Sequence, residues 1–442
     1  MISVLTHRSR VWVLACLFLG FTLMIEAQES WNLKRFIEMA RENNPELLSL
    51  KLETNRAEIN LKAAVNNYYP NLEAQLKSGN NYGLLIDPIT NELFFGNTFI
   101  NSFQINSTFN LFRGFYNRYQ KALANEQMNT ASYIFNKRFN EITLELTYYY
   151  FQAWYASENA ELQKKNLENF QKRKKFIDGS IQNEVMHKRN IYNVDYLIAR
   201  AEAAIIANEN TMRKNKAILF KLAGINWQDS VKMNFSDARV SETRMFDYNT
   251  VIEQARKNFP DIKAGQSQII NAEYAFRIAR SARYPKLLVE GQLGTKTSTN
   301  KINEPFNTQL GNNQNQYIGL SLNIPIFRNY SLKQAEEIAA LDIEAAKNDA
   351  KSLLLELENN VFQAVMDYNN ALKLYQTNIR LNEAAQQEYD FAVRLFDVGN
   401  MGLFEFTEIA QRYIKASEDL LEAKFNCMLK LKIIEFYTDY GK

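Results

Sequence analysis

The chain has 442 residues, of which 46% are hydrophobic and 23% are charged, a composition that argues against intrinsic disorder. Its 52 basic and 49 acidic residues nearly cancel to a net charge of +3, so nothing indicates a nucleic-acid-binding protein. Aromatic residues are frequent at 13%, with 29 Phe and 23 Tyr, and a fold prediction has to explain this high frequency.

Residues 1–27 have the pattern of an export signal. Arg8 and Arg10 form a basic start, and an uncharged apolar run follows that is too short to span a bilayer comfortably as a helix. Cys16 lies in the middle of this run, which disfavours a lipoprotein cleavage site. We predict that the chain is exported and cleaved after Ala27.

Cleavage would leave Cys427 and His187 as the only cysteine and histidine. An internal disulfide and a Cys/His zinc site are then both excluded. No phosphate-binding glycine loop and no serine-nucleophile elbow accompanies His187. We therefore predict that the protein is not an enzyme and has no cofactor or metal.

The sequence repeats itself after 215 residues. Aligning residues 36–79 with residues 251–294 without a gap gives 13 identities in 44 positions, where unrelated segments would share roughly three. The match includes Pro70 and Pro285, each at the point where a helical pattern gives way to a strand pattern. This is the signature of an internal duplication.

Two long stretches, Phe115–Asp178 and Asn329–Val398, contain neither glycine nor proline. At 1.5 Å per residue each would form a helix on the order of 100 Å long, far beyond the about 11 residues of an average globular helix. Turns at Gly179 to Arg189 and at Gly399 to Gly402 would complete two helical hairpins. We predict two structural repeats of a helix, two strands and a long helical hairpin, at residues 28–229 and 230–442.

Four segments alternate apolar and polar residues with the period of a β-strand. Each is expected to be about 10 residues long, and polar loops at 80–98 and 295–314 would join them in pairs. The apolar sides consist of Leu72, Ala74 and Leu76; Phe103, Ile105, Phe109 and Leu111; Leu287, Val289 and Leu293; and Ile318, Leu320, Leu322, Ile324 and Ile326.

A soluble sheet against a core and a membrane sheet could both produce this alternation. The export signal, the strand lengths and the aromatic residues near strand ends favour the membrane. Four strands cannot close a barrel, and an open edge in hydrocarbon leaves backbone groups unpaired, so the chain must pool strands with copies of itself. A dimer and a trimer both remain possible, and only a barrel of about 12 strands would leave a lumen wide enough for solutes.

The whole chain after the signal resembles the TolC-like outer-membrane efflux channels. The resemblance rests on the twofold repeat, on Tyr-Pro-x-Leu at Pro70 and Pro285, on Pro325-Ile-Phe at a strand exit, and on the second hairpin turn from Phe396 to Glu408. It implies a mostly α fold with a membrane β-barrel, in which three identical chains share a barrel of about 12 strands in outer-membrane lipid. Long antiparallel helical hairpins would form a tunnel across the periplasm.

The resemblance also implies where the channel entrance lies. Glu405 and Glu408 fall on two acidic positions that ring the entrance, and Asp195 falls on an acidic position in the links that hold it shut. From the residues alone, acidic side chains at i and i+3 are more typical of an ordinary solvated helix face.

The second hairpin turn, with Gly399 and Gly402, departs from the family pattern. The family has a tyrosine three residues before the first glycine and an arginine two residues after it, where this chain has Phe396 and Met401. Neither side chain can make the corresponding hydroxyl or guanidinium hydrogen bond. We expect an entrance that is held by apolar packing or is less tightly shut.

The predicted function is a passive exit duct of a tripartite efflux or secretion system. The resemblance implies two partners, a periplasmic adaptor of the membrane fusion protein type and an inner-membrane pump of the RND, ABC or a similar class. The alternative is a periplasmic coiled-coil adaptor or scaffold, which would need the long hairpins but has no use for amphipathic strands. The transported substrate is not specified by the sequence.

Overall fold

A computed structural model describes residues 30–86, 93–182, 189–235, 244–299 and 304–438. The predicted signal at residues 1–27, Cys16 and His187 lie outside these ranges. The helices are α1 (Leu33–Asn43), α2 (Pro45–Asn66), α3 (Tyr116–Gln182), α4 (Arg189–Leu222), α5 (Tyr248–Asn258), α6 (Pro260–Ser281), α7 (Phe306–Asn312), α8 (Ser331–Asp397) and α9 (Leu403–Thr438). The strands are β1 (Ser30–Trp31), β2 (Asn71–Ile86), β3 (Leu93–Arg113), β4 (Lys232–Met233), β5 (Lys286–Ser298) and β6 (Asn315–Asn323).

The order α1, α2, β2, β3, α3, α4 recurs along the chain as α5, α6, β5, β6, α8, α9, with α7 inserted between β5 and β6. The chain packs as two compact units, and each unit takes segments from both halves of the sequence. Of the described residues, one unit comprises those up to 48, those within 138–254 and those from 360 onwards; the other comprises those within 49–137 and 255–359. The repeat boundaries at 28–229 and 230–442 therefore stay a prediction about the sequence.

The two long helices are confirmed, since α3 and α8 each have 67 residues. The first predicted turn is wrong at its start, because α3 continues through Gly179 to Gln182. A glycine inside an exposed helix costs about 1 kcal/mol relative to alanine, which does not suffice to end so long a helix. The second turn is placed correctly, between Asp397 and Leu403.

The first unit is mainly helical and has a buried apolar core. In α8 this core includes Val361, Ala364, Tyr368 and Ala371, which recur three or four residues apart. The short β1 pairs in parallel with β4, and Trp31 stacks on Phe220 of α4 at 5.4 Å between ring centroids. Its largest fully buried side chains are Phe36, Leu47, Ile142, Leu146, Tyr150, Phe151, Ile177, Leu219, Phe220, Tyr368, Leu372 and Phe396.

The second unit contains an antiparallel sheet in the order β2-β3-β5-β6, with strands of 16, 21, 13 and 9 residues. The predicted loops at 80–98 and 295–314 are largely wrong. Residues 80–86 pair with residues 93–99, so β2 and β3 form one long hairpin. The other predicted loop contains the end of β5 and all of α7. Polar residues such as Asn80 and Asn97 sit in these strands because the backbone ladder, not their side chains, holds the hairpin together.

The two helix-to-strand junctions have the same geometry. Helices α2 and α6 end at Asn66 and Ser281, and three residues of tight turn follow in each case before Pro70 and Pro285. The prolines do not end the helices themselves, since each helix has ended four residues earlier. The prolines immediately precede β2 and β5, where a missing N–H breaks no ladder.

The strand β6 ends at Asn323, so Ile324 and Ile326 lie outside it, contrary to the prediction. Pro325 explains this end, because proline has no N–H to donate to a neighbouring strand.

Candidate functional site

The predicted apolar sides of the four strands lie on one face of the sheet, apart from Leu111 at a bulge of β3 and the two isoleucines beyond the end of β6. Leu76 is the register partner of Phe103, and Ile105 is the partner of both Ala74 and Leu293, so their side chains point the same way. The same face carries Leu287, Val289, Ile318, Leu320 and Leu322. Its side chains are uncovered, with Leu72 at 75% and Ile318 at 83% exposed. The predicted facing of the strands is therefore confirmed.

The opposite face is polar. Glu73 is the register partner of Asn106, Gln75 of Gln104, and Glu290 of Thr108. Leu288, Ile100 and Tyr317 are exceptions, because they lie on this face opposite Asn110, Gly79 and Gln292. One face of the sheet thus suits hydrocarbon and the other suits water.

The sheet has two open edges. Its order ends at β2 on one side and at β6 on the other, and in the described part of the chain no strand pairs with either outer edge. Every second backbone group along these edges therefore lacks a strand partner within the chain.

A second candidate region lies in the helical unit, where the second hairpin turns. Gly399 has a φ of 78°, and its N–H donates to the carbonyl of Phe396 at 3.0 Å. The N–H of Asn400 reaches back to the carbonyl of Leu395 at 2.9 Å. These bonds close α8 with a glycine in the left-handed region, which lets the chain reverse within five residues before α9 begins.

An apolar cluster joins the ends of the two hairpins. Phe396 is 1% exposed, and its ring lies 4.9 Å from that of Phe406 across the turn. Met401 is partly buried against the same cluster. The buried members are Phe170 and Ile177 of α3, Val194, Leu197 and Ala201 of α4, Ala392 and Phe396 of α8, and Leu403, Phe406, Ile409 and Ala410 of α9.

Arg173 of α3 links the first hairpin to the second. Its Nη1 donates to Oδ1 of Asp397 at 2.5 Å, and its guanidinium lies 4.5 Å from the ring centroid of Phe406 and 5.1 Å from that of Phe396. The Arg173 side chain is only 13% exposed, so the charge is held at the edge of the apolar cluster. It also lies against Tyr389, where burial raises the pKa of the phenol and the guanidinium opposes that rise.

Sequence reasoning missed Arg173 and Asp397. In the sequence Arg173 belongs to the basic run Lys172–Lys175, which reads as a solvated helix face. Its partner lies 224 positions away, and no local period connects the two residues. The only available signal was the position of Asp397, two residues before the turn glycine.

Asp195 lies at the same end of the unit, since its neighbours Val194 and Leu197 belong to the apolar cluster. Its Oδ1 accepts from Nζ of Lys174 at 2.6 Å, and the carboxylate raises the pKa of that lysine. Both side chains are about half exposed, which limits the strength of this pair. The pair ties α4 to α3 within the first hairpin.

Glu405 and Glu408 are exposed on the first two turns of α9. Glu405 lies in the first turn, where its charge also stabilises the helix N-terminus by about 0.3–1 kcal/mol. Glu408 lies beyond the first turn, where this effect has largely decayed. Glu405 and Glu408 thus lie at the start of α9, next to the turn of the second hairpin, and Asp195 lies on the first hairpin.

Two further properties apply to the described residues. They include no group of three or more His, Cys, Asp or Glu side chains placed to hold a metal ion. None of the helices within them is both long and apolar enough to cross a membrane.

Residues 251–427 match the family model described as "Outer membrane efflux protein". The chain is similar in structure to the CmeC outer membrane channel of Campylobacter jejuni, with a TM-score of 0.77 and 17% identity, covering 92% of this chain and 86% of that one. It is also similar to VceC of Vibrio cholerae (0.76, 15%, 92% and 96%) and to the open state of MtrE of Neisseria gonorrhoeae (0.75, 16%, 92% and 88%). No curated protein sequence gives a significant match.

These findings establish the fold as that of outer-membrane efflux channels, and they identify residues 251–427 as an outer membrane efflux protein domain. The predicted mostly helical fold with four membrane-type strands and the predicted outer-membrane location are confirmed, whereas the barrel shared by three chains stays a prediction. The family that this region matches is one of efflux proteins.

Proposed function

We propose that this protein is the passive exit duct of a tripartite efflux or secretion system. Three copies of the chain together complete its barrel. Its helical part crosses the periplasm and receives substrates from a periplasmic adaptor and an inner-membrane pump. The observation that supports this proposal is the sheet, which has one mainly apolar face, one mainly polar face and two open edges.

The open edges of the sheet explain why copies of the chain have to associate. In hydrocarbon each unpaired backbone group costs several kcal/mol, so β6 of one copy must meet β2 of the next. Two copies would give a barrel of about eight strands, whose interior is filled by side chains. Three copies give about 12 strands and a lumen lined by the polar face that carries Glu73, Gln75 and Gln104.

The entrance of the duct is placed at the hairpin turns of the helical unit. Three copies would bring six carboxylates of Glu405 and Glu408 to one ring, which favours cations. The apolar cluster around Phe396 and the Arg173–Asp397 pair hold the two hairpins of each chain together, in place of the tyrosine and arginine links of the family pattern. The ion pair between Asp195 and Lys174 helps to hold the two helices of the first hairpin together.

A periplasmic adaptor or scaffold is the competing function, and the apolar face of the sheet argues against it. Leucines and isoleucines that are more than half exposed would leave a soluble protein prone to aggregation. Carbonate extraction of isolated outer membranes separates the two functions, because an integral barrel stays in the pellet and an adaptor is released.

Two substitutions on neighbouring positions of β6 test the assignment further. Leu320→Lys puts a charge on the lipid face, which costs about 2–4 kcal/mol at the bilayer midplane, whereas Ser321→Lys puts the same charge into the lumen. We expect Leu320→Lys to abolish carbonate-resistant membrane insertion and Ser321→Lys to preserve it. Equal insertion of both variants, or release of the unsubstituted protein by carbonate, would rule out the duct.

A further inference from the structure

The strand β6 is much shorter than β2, with 9 residues against 16. Both are edge strands, so in a closed ring β6 of one copy lies beside β2 of the next. Asn71 starts β2 next to α2, and Asn323 ends β6 next to α8, so both strands meet the helices at this end. Because β2 is seven residues longer, its outer end near Ile86 extends past β6 when the ends next to the helices are level.

Within one chain, α7 lies along the edge of β5 that extends beyond the end of β6. The last residue of β5 that pairs with β6 is Gly294, and β5 continues to Ser298. Nδ2 of Asn313 donates to the carbonyl of Lys296 at 3.0 Å, and the N–H of Ser298 donates to Oε1 of Gln309 at 2.9 Å. Residues at and just after α7 thus supply the edge of β5 with hydrogen bonds that a longer β6 would have made.

The helix is fixed to the sheet at two more points. Oγ1 of Thr295 donates to the carbonyl of Leu310 at 2.8 Å, and the ring of Phe306 lies edge-on to Phe103 at 6.5 Å. Gln309 is only 4% exposed, so its amide is enclosed between α7 and β5. One side of α7 therefore packs against the sheet.

The other side of α7 is uncovered. Asn307, Thr308 and Gly311 are exposed, and a Cβ at Gly311 would meet no atom within 4 Å. The overhanging part of β2 is uncovered as well, with Tyr82 at 78% and Leu84 at 65% exposed. The outer end of the sheet thus has two solvent-exposed surfaces, one on α7 and one on β2.

We propose that α7 of one copy packs against the overhanging edge of β2 in the next copy, and so fills the gap that the short β6 leaves in the rim of the barrel. This inference rests on the proposed ring of three copies. The partner that covers the exposed side of α7 is a second copy of the chain. Ring closure puts β2 of that copy next to β6, and α7 lies along the edge of β5 beyond the end of β6. The contact buries Tyr82 and Leu84, which are uncovered in the single chain.

Cysteine cross-linking of the full chain in outer membranes tests the contact. In a Cys427→Ala background, Thr308→Cys or Gly311→Cys is combined with Tyr82→Cys or Leu84→Cys. Mild oxidation should give covalent dimers and trimers on non-reducing gels, at least fivefold more than the same α7 cysteine combined with Leu72→Cys. Leu72 lies on the same strand and face and is equally exposed, but at the opposite end.

A separate pair reports on the ring itself. Leu320→Cys on β6, combined with Leu72→Cys or Leu76→Cys on β2, joins neighbouring copies wherever the barrel closes. If this strand pair cross-links while every α7 pair fails, or gives only a monomer with an internal link, the rim contact is wrong and the ring stands. If the strand pair fails too, the ring of copies is wrong and the rim contact falls with it.

A second variant keeps the test independent of cysteine geometry. Gln309→Ala removes the side chain that holds α7 on β5, and should reduce the α7 cross-links severalfold while leaving the Leu320 strand cross-link unchanged. Gln314→Ala, an exposed neighbour outside α7, should change neither. Unchanged α7 cross-links in Gln309→Ala would contradict the role given to that helix.

Discussion

Arg173 and Asp397 form the charged link between the two helical hairpins, 2.5 Å apart at the edge of an apolar cluster. Asp397 is half exposed, but Arg173 is enclosed by the rings of Phe396 and Phe406. A planar guanidinium can stack on aromatic rings and bind a carboxylate at the same time, which an ammonium does less well. The pair therefore fixes the relative position of α3, α8 and α9 next to the turn.

Arg173→Met should loosen the proposed entrance by removing about 1–2 kcal/mol of combined ion-pair and cation–π interaction. We expect a severalfold higher open probability of the purified channel in planar bilayers. Arg173→Lys should give a smaller increase, because it keeps the charge and loses the stacking. Lys172→Met is the matched control, since Lys172 is exposed and pairs only with Glu168 one turn away on the same helix.

Asp397→Asn should raise the open probability as well, and its effect should not add to that of Arg173→Met. Both substitutions break the same link, so the double variant should match the stronger single variant. Full additivity in this cycle would show that the two residues act separately.

Glu405 and Glu408 should control ion selectivity at the entrance. Replacing both by glutamine removes six negative charges from the proposed ring, so cation preference and block by divalent cations should both weaken. Reversal potentials in asymmetric KCl measure the first effect, and titration with Mg²⁺ measures the second. Selectivity and block that match the unsubstituted channel would leave the two residues as ordinary solvated side chains.

The two glutamates differ in their structural role, and this difference separates selectivity from folding. Glu405→Gln should lower the thermal stability slightly, because it removes a charge from the first turn of α9, whereas Glu408→Gln should not. If the change in selectivity followed only the variant with reduced stability, it would reflect damage to the turn and not the charge of the ring.

Patterns that repeat along the chain made much of the fold predictable. The absence of glycine and proline around Tyr368 predicted a very long helix, and the alternation around Ile105 predicted both a strand and the direction of its side chains. Local periodicity extends over a few residues, however, and Arg173 meets Asp397 only after the chain has turned back on itself. The helix α7 was missed for a related reason, because seven residues are too few to show a period.

Lys216 should make the stability of the helical unit depend on alkaline pH. It is 6% exposed, its Nζ donates to the carbonyl of Asp229 at 2.9 Å, and it lies 4.9 Å from the ring of Trp227. Burial lowers its pKa in the folded state. The unfolded chain therefore binds this proton more tightly, and this residue's contribution to stability rises as pH climbs towards the ordinary lysine value of about 10.4.

Lys216→Met should abolish that part of the alkaline rise in melting temperature, measured by circular dichroism between about pH 8 and pH 10.5. Lys214→Met, on the exposed side of the same helix, should leave the pH profile unchanged. A Lys216→Met profile parallel to that of the unsubstituted protein would mean that the buried amine does not titrate in this range.

Gly224 and Gly399 both have a left-handed backbone at the end of a long helix, with φ of 72° and 78°. Their surroundings differ, because a Cβ at Gly224 would lie 2.3 Å from the carbonyl oxygen of Asn43, whereas at Gly399 it would meet nothing within 4 Å. Gly399→Ala should therefore cost only the left-handed strain, about 1–2 kcal/mol. Gly224→Ala should cost clearly more, because the backbone of Asn43 has to move as well.

Thermal melts of the two variants, followed through the helical signal, test this ranking in one chain. We expect a drop in melting temperature for Gly224→Ala at least twice that for Gly399→Ala, together with a lower yield of folded protein. Gly399→Ala should instead show its main effect on channel opening, because its strain falls on the turn beside Phe396. Equal losses of stability would mean that the contact between the end of α4 and Asn43 yields readily, and the ranking would be wrong.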